Sequence, residues 1–223
     1  MESVKITNRG EDIVSVLKRT DTIIFDIGNV LLAYDWRSYL QEFDFSPEVF
    51  RIIAEAVFLN EDWERGDQGG ITSRQWEELF LENAPGYEKE IRQVFDGLSH
   101  TIRPLPYTTE LTEGLKRQGY RLFYLSNYSE HLYHATKHLM GFLDIFDGGI
   151  FSYKAGCIKP DRHIYRLLLE TYSISPYNAL FLDDREENVK AALDIGLNGA
   201  VFTSETPYHI LEYLRSKDKT KET

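Results

Sequence analysis

The sequence predicts an α/β protein, a doubly wound parallel sheet with a helical insertion after its first strand. Three observations carry this. Five short apolar runs, at 22–26, 121–126, 149–152, 178–183 and 199–202, have the length of strands, and most are apolar on both faces, as strands of a covered parallel sheet are. Segments of helical period separate the later runs, the alternation expected of βα units. Residues 35–103 break that rhythm, with helical patterning and no convincing strand.

Along the chain, 11–19 carries Ile13, Val14, Val16 and Leu17, which suits a short amphipathic helix added before the first strand. In the insertion, Ser46-Pro47 is a helix start, with serine at the cap and proline in the first turn, followed by Val49, Ile52, Ile53, Ala56 and Val57 at helical spacing. Thr72 and Gln75 fit a capping box ahead of Trp76, Leu79 and Phe80. The stretch "HTIRPLPY" then returns the chain to the α/β pattern. Residues 109–118 carry Leu111 and Leu115 before Gly119, a helix stop. Residues 161–172 carry Ile164, Leu167, Leu168 and Tyr172, and 188–195 carry Val189, Ala192 and Leu193 before Gly196. The tail "RSKDKTKET" is expected to fray. The expected division is a core of 1–34 and 104–223 with 35–103 inserted.

Length and composition narrow the function. A chain of 223 residues, 42% apolar and 27% charged, is long enough to bury a sizeable core and reads as globular. Its net charge of -11 repels phosphate backbones and anionic bilayers, so neither nucleic acid nor a membrane surface is an expected partner. The single cysteine, Cys157, forms no internal disulfide and fits a reducing compartment. The opening "MESVKITNRGEDIVSVLKRT" has no apolar signal core, and no stretch is apolar enough to span a bilayer. A cytoplasmic protein is expected.

Ligands of open α/β sheets bind outside the carboxyl ends of the strands, and four such ends carry reactive groups. Asp26 closes the first run, followed by Ile27, Gly28 and Asn29. This is either a strand with an ordinary Gly/Asn turn or a nucleophilic carboxylate beside phosphate-cradling amides. "LSNYS" offers the Ser126 hydroxyl and free amides, suited to an anion or to a helix cap. In "CIKPDRHIY", Lys159 precedes a proline and is either a solvated lysine or a compact cation for phosphate or crowded carboxylates. "LFLDDREEN" places Asp183 and Asp184 together, either as an acidic helix start or as a pair needing a cation between them.

In this order, the four stretches resemble the motif set of the haloacid dehalogenase (HAD) superfamily: "FDIGNVL", "LSN", Lys159 in "IKPD", and "FLDD". The resemblance extends from about residue 21 to about residue 201. It implies a Rossmann-like parallel-sheet core with a C1-type α-helical cap, whose "WERGDQGGIT" resembles the E-x-G-x-I-type cap segment with extra residues. The first motif is nearest to glucose-1-phosphate-phosphatase-like members. By resemblance, Asp26 is the nucleophile that forms an aspartyl-phosphate. Ser126 and Lys159 hold the phosphoryl group, helped by the amides of Ile27, Gly28 and Asn127. Asp26, Asp184 and the carbonyl of Gly28 bind magnesium (Mg2+), with Asp183 through water or from behind. The expected substrate is a small phosphorylated metabolite.

Gly28 departs from the family, whose phosphatases mostly carry an aspartate there to protonate the leaving oxygen and activate water. Glycine does neither. A sugar 1-phosphate needs less acid help, because an anomeric hydroxyl is more acidic than an ordinary alcohol. Otherwise another group supplies the proton, with Asp35, Glu64 and His131 as candidates, or the chain is a weakly active magnesium- and phosphate-binding regulator. A 2-haloacid dehalogenase needs no acid, but members of that type work without metal, which the Asp183-Asp184 pair argues against. His134 and His138, four apart, would share one face of a helix. Trp36, Tyr128 and Tyr133 suit either a sugar ring or core packing.

Overall fold

The computed structural model describes residues 11–221. In chain order the elements are α1 (Ile13–Leu17), β1 (Thr22–Phe25), β2 (Leu32–Tyr34), α2 (Trp36–Gln41), α3 (Pro47–Ile53), α4 (Glu61–Gln68), α5 (Ser73–Asn83) and α6 (Glu88–Asp96). There follow β3 (Ile102–Pro104), α7 (Thr108–Arg117), β4 (Arg121–Ser126), α8 (Glu130–Thr136), β5 (Gly148–Phe151) and α9 (Ser152–Ala155). The chain closes with α10 (Arg162–Thr171), β6 (Ala179–Asp183), α11 (Glu186–Asp194), β7 (Asn198–Val201) and α12 (Thr206–Lys221).

Five strands form one sheet in the order β5-β4-β1-β6-β7, every pair parallel. All four residues of β1 are buried, as its unbroken apolar run requires of a strand covered on both faces. Alternation divides them: Ile23 and Phe25 face Leu17, Leu111, Ile210 and Leu214, while Ile24 faces Ile164, Leu168 and Ala192. In register, Phe25 lies beside Tyr124 of β4 and Leu182 of β6. The chain thus crosses from β1 to one neighbour and later to the other. This is the switch point at which three strand ends emerge side by side.

Helices fill most of the chain between β2 and β3, and aromatic rings make their core. Trp76 packs against Trp63, Phe80 and Phe95, and Trp36 stacks on Phe58. This cluster continues into Ile27, Tyr128, Leu132 and Phe151 at the carboxyl edge of the sheet. Ser46 caps α3 with Pro47 in the first turn, and Thr72 and Gln75 form the expected capping box of α5. Trp76 Nε1 donates to Asp62 O at 2.7 Å, tying α5 to α4.

Four expectations change. Residues 35–103 include a strand, since Ile102 and Arg103 open β3, which pairs antiparallel with β2. Two residues ahead of a proline are too few to show a period. The helix expected across 49–57 gives way after Ile53 to a wider π-helical turn (Ala54–Phe58). The histidine pair does not share a helical face, because α8 ends at Thr136 and His138 lies in the next, tighter turn. The tail does not fray at Arg215, because α12 runs to Lys221. Residues 222–223, and residues 1–10 of the opening segment, lie outside those described.

Gly66 in α4 is buried against the Trp76 indole, which a Cβ there would overlap. Gly66→Ala is therefore expected to destabilise the protein by about 1–3 kcal/mol. In a chain of this size that lowers the melting midpoint by roughly 3–10 °C. An unchanged midpoint in thermal unfolding would contradict this packing.

Candidate active site

Asp26 directly follows β1, and its N–H extends the ladder by donating to Leu182 O at 2.8 Å. The strand therefore delivers its carboxylate at a fixed point on the sheet edge. Lys159 Nζ lies 2.8 Å from Asp26 Oδ1 and 2.6 Å from Asp183 Oδ2, with the lysine 2% exposed. The contact with Asp183 is a hydrogen bond. The contact with Asp26 is a close ion pair that leaves Oδ1 buried without an aligned donor.

Three asparagines lock this cluster. Asn127 clamps the backbone of Lys159, accepting from its N–H at 2.7 Å and donating to its carbonyl at 2.9 Å. Asn188 Nδ2 donates to both oxygens of Asp183, whose Oδ1 also accepts from Arg185 N at 2.8 Å. Asn29, in the left-handed region at φ 54°, donates from Nδ2 to Asp184 Oδ2 at 3.0 Å and accepts from Tyr34 N. Asparagine tolerates that backbone better than most residues.

Burial sets the electrostatics. It disfavours charge on Asp26, and against the opposing Lys159 the carboxyl is pushed up to about 6. Burial also raises Asp184. Burial alone would depress Lys159, but the Asp183 and Asp26 carboxylates outweigh it and hold the ammonium above its ordinary value.

Asp26, Asp183 and Asp184 each bring a carboxylate oxygen within 4.8 Å of the others. Asp183 has both oxygens engaged by donors. Asp26 keeps a buried oxygen with no aligned donor, and Asp184 takes its side-chain bond from Asn29. Such a donor set fits a hard divalent cation seated on Asp26 and Asp184, with Asp183 behind.

Above the cluster opens a cavity of about 630 Å³. Of the residues singled out in the sequence, Asp26, Gly28, Asn127, Lys159 and Asp184 line it. Ser126, Ile27 and Asp183 are buried at 1%, 0% and 0% exposure and lie beneath the lining. Trp36, Tyr128 and Glu64 are on the wall; Tyr133 is not. His131 is also off it, bonded to Ser73 Oγ at 3.1 Å and packed on Phe95. Asp35 caps α2 and pairs with Arg103 at 2.7 Å, and its hydrogen bonds to Ser38 hold its carboxyl below the usual range.

Among the lining residues that the sequence reading missed, Asp67 is the buried acid. It is 8% exposed at the end of α4, where burial, with Glu64 and Asp26 nearby, pushes its carboxyl from 3.8 to about 8. The only signal was an acid inside the cap-like "WERGDQGGIT".

A model of haloacid dehalogenase-like hydrolases matches residues 20–196. The chain belongs to the haloacid dehalogenase-like hydrolase family. A sesquiterpene phosphatase of Aspergillus oryzae is 29% identical over 182 residues, 81% of this chain and 88% of that protein. Five further curated relatives match over 9–29% of their own length. Two solved members of the HAD superfamily share the fold. One is an enzyme from Bacteroides thetaiotaomicron in complex with magnesium and inorganic phosphate, at TM-score 0.64 and 21% identity, covering 83% of this chain and 95% of that one. The other is the L-2-haloacid dehalogenase of Xanthobacter autotrophicus with chloropropionic acid covalently bound, at TM-score 0.60 and 18% identity, covering 83% and 80%.

Asp67 supplies a stability test. Its folded pKa lies above its unfolded value, so the folded state keeps a proton that the unfolded chain releases above about pH 4. The contribution of Asp67 to stability therefore declines as pH rises from about 4 to about 8. The charges facing it are Glu64, Asp26, Lys159 and Arg185. In metal-free protein, Asp67→Asn is expected to raise the melting midpoint, by more at pH 8 than at pH 5. A gain that does not grow with pH would contradict the burial of an uncompensated carboxyl.

Proposed function

We propose that the protein is a magnesium-dependent phosphomonoesterase that works through an aspartyl-phosphate on Asp26. The observation that carries this is the Asp26–Lys159–Asp183 cluster, with Asp184 beside it, at the floor of a cavity. The Asp26 carboxylate attacks phosphorus as the bond to the leaving alcohol breaks. Water then attacks the same phosphorus and frees phosphate and Asp26. Lys159 offsets the charge of the incoming phosphate, and the Gly28 and Asn127 backbone at the lining approaches its oxygens. Ser126, at the end of β4, is the further hydroxyl that the family resemblance assigns to the phosphoryl group. Magnesium held by Asp26, Asp184 and the Gly28 carbonyl would supply charge neutralisation at the transferring group. The magnesium-bound bacterial relative supports this reading by analogy of fold only. Residues 35–103 act as the cap over a core of 1–34 and 104–223, closing the organic end of the cavity.

That organic end is walled by Tyr34, Trp36, Phe58, Leu59, Trp63 and Leu132. These walls favour an apolar or aromatic alcohol, in keeping with the terpenoid substrate named for the Aspergillus relative. The sugar 1-phosphate reading is second. It rests on the easy leaving group that Gly28 calls for, and on Asn60, Glu61 and Glu64 at the rim as partners for hydroxyls.

The test is phosphate release across prenyl, aryl, sugar 1- and sugar 6-phosphates, with and without magnesium. Release is expected to require magnesium, to be fastest on apolar esters, and to fall on the order of 10³-fold or more in Asp26→Asn. A preference for sugar 1-phosphates would reverse the order of the two substrate readings. Absence of release from every ester would favour a regulatory, binding-only role.

A further inference from the structure

Resting on the phosphatase reading, we propose that Asp67 donates the proton to the leaving alcohol in place of the carboxylate missing at position 28. The helical insertion, rather than the first motif, then carries the general acid.

Position 28 itself explains why the group is absent without being excluded. Gly28 has no left-handed backbone, and a Cβ there would meet only Asp26 Oδ2, at 3.8 Å. Neither conformation nor packing forces a glycine, so the space beside the nucleophile is left open to substrate. Besides Asp26 and Asp184, the carboxylates lining the cavity are Glu61, Glu64 and Asp67. Glu61 and Glu64 are exposed on the rim. Asp67 is buried, and its carboxyl makes no hydrogen bond or ion pair among the described residues.

Its backbone, by contrast, is fixed from both sides. Ser152 Oγ donates to Asp67 O at 2.5 Å and accepts from Tyr128 N at 2.9 Å, joining the end of α4 to the core. The adjoining Gly66 is packed under Trp76, and Gly69, at φ +79°, lies so close to the Tyr153 backbone that a Cβ would overlap it. The end of α4 is thus fixed against the core, with Asp67 at the cavity lining and its carboxyl uncommitted. Burial beside Glu64 and Asp26 favours its protonated form at neutral pH. That is the state a donor needs.

The step balances. As Asp26 bonds to phosphorus and the phosphorus–oxygen bond to the alcohol breaks, that electron pair goes to the alcohol oxygen. The Asp67 proton goes with it, so a neutral alcohol leaves and Asp67 becomes a carboxylate. In the second step Asp67 takes a proton from the water attacking phosphorus, and the carboxyl is restored as phosphate leaves. An acid so placed frees the site from any need for an activated leaving group.

The experiment compares p-nitrophenyl phosphate with benzyl phosphate, esters of similar shape whose leaving groups differ greatly in acidity. In Asp67→Asn, kcat on the benzyl ester is expected to fall by about 10²–10⁴-fold. The loss on the nitrophenyl ester, whose phenolate leaves unaided, is expected to be at least tenfold smaller. Adding Gly28→Asp to Asp67→Asn is expected to recover part of the benzyl rate. Equal losses on both esters, or no loss on the benzyl ester, would overturn the assignment. If Asp67→Asn does not fold, the wild-type dependence of kcat on leaving-group acidity across graded esters decides. A shallow slope supports an internal acid and a steep one overturns it. Wild-type protein inactive on both esters would instead overturn the phosphatase reading, and this inference with it.

Discussion

The Lys159 ammonium, buried between Asp26 and Asp183, is the constraint from which the rest of the site follows. Removing one partner of a buried ion pair leaves an uncompensated charge, which costs about 3–5 kcal/mol. Geometry must therefore be held on every side. The protein does so with backbone ladders and amides: β1 aims Asp26, Asn127 clamps the lysine backbone, Asn188 grips Asp183 and Asn29 grips Asp184. One ammonium facing three carboxylates leaves the cluster net negative. A cluster of that sign accepts a phosphate dianion only with a further cation, and this links the donor set to the proposed metal dependence.

The floor and the walls of the cavity come from different parts of the chain and obey different physics. The floor is charge and hydrogen bonding at the ends of parallel strands. The walls are aromatic rings belonging to the cluster that holds the helical insertion together. Substrate choice is therefore tied to the packing of that insertion. Ser152, which bonds to both Tyr128 and Asp67, is the point where the two parts share one hydroxyl.

Much of the fold was legible because its signals are local. The apolar runs of β1, β4 and β6 are buried on both faces, and the caps at Ser46 and Thr72 depend on neighbours three residues away. The convergence of Asp26, Asp183 and Asp184 was legible from the ends of β1 and β6, whereas Lys159 lies beyond α9 and reaches the cluster because Asn127 holds its backbone. The roles of Asn29, Asn188 and Asp67 were not, since each depends on a residue or cavity brought together only by folding. Asn29 reaches across 155 positions to Asp184. Nor did the histidine spacing reveal that α8 stops at Thr136, where the Thr136 hydroxyl bonds both Leu132 O and the Tyr128 hydroxyl.

The central claim is that this sheet edge makes Asp26 a nucleophile toward phosphorus. Acid quenching of the enzyme during turnover with magnesium and an aryl phosphate, followed by mass spectrometry of the peptide that contains Asp26, tests it most directly. The account predicts a phosphoryl group on Asp26 during turnover and none on the Asp26→Asn protein. Turnover with the phosphoryl group on a different residue, or with wild-type rates retained in Asp26→Asn, would contradict it.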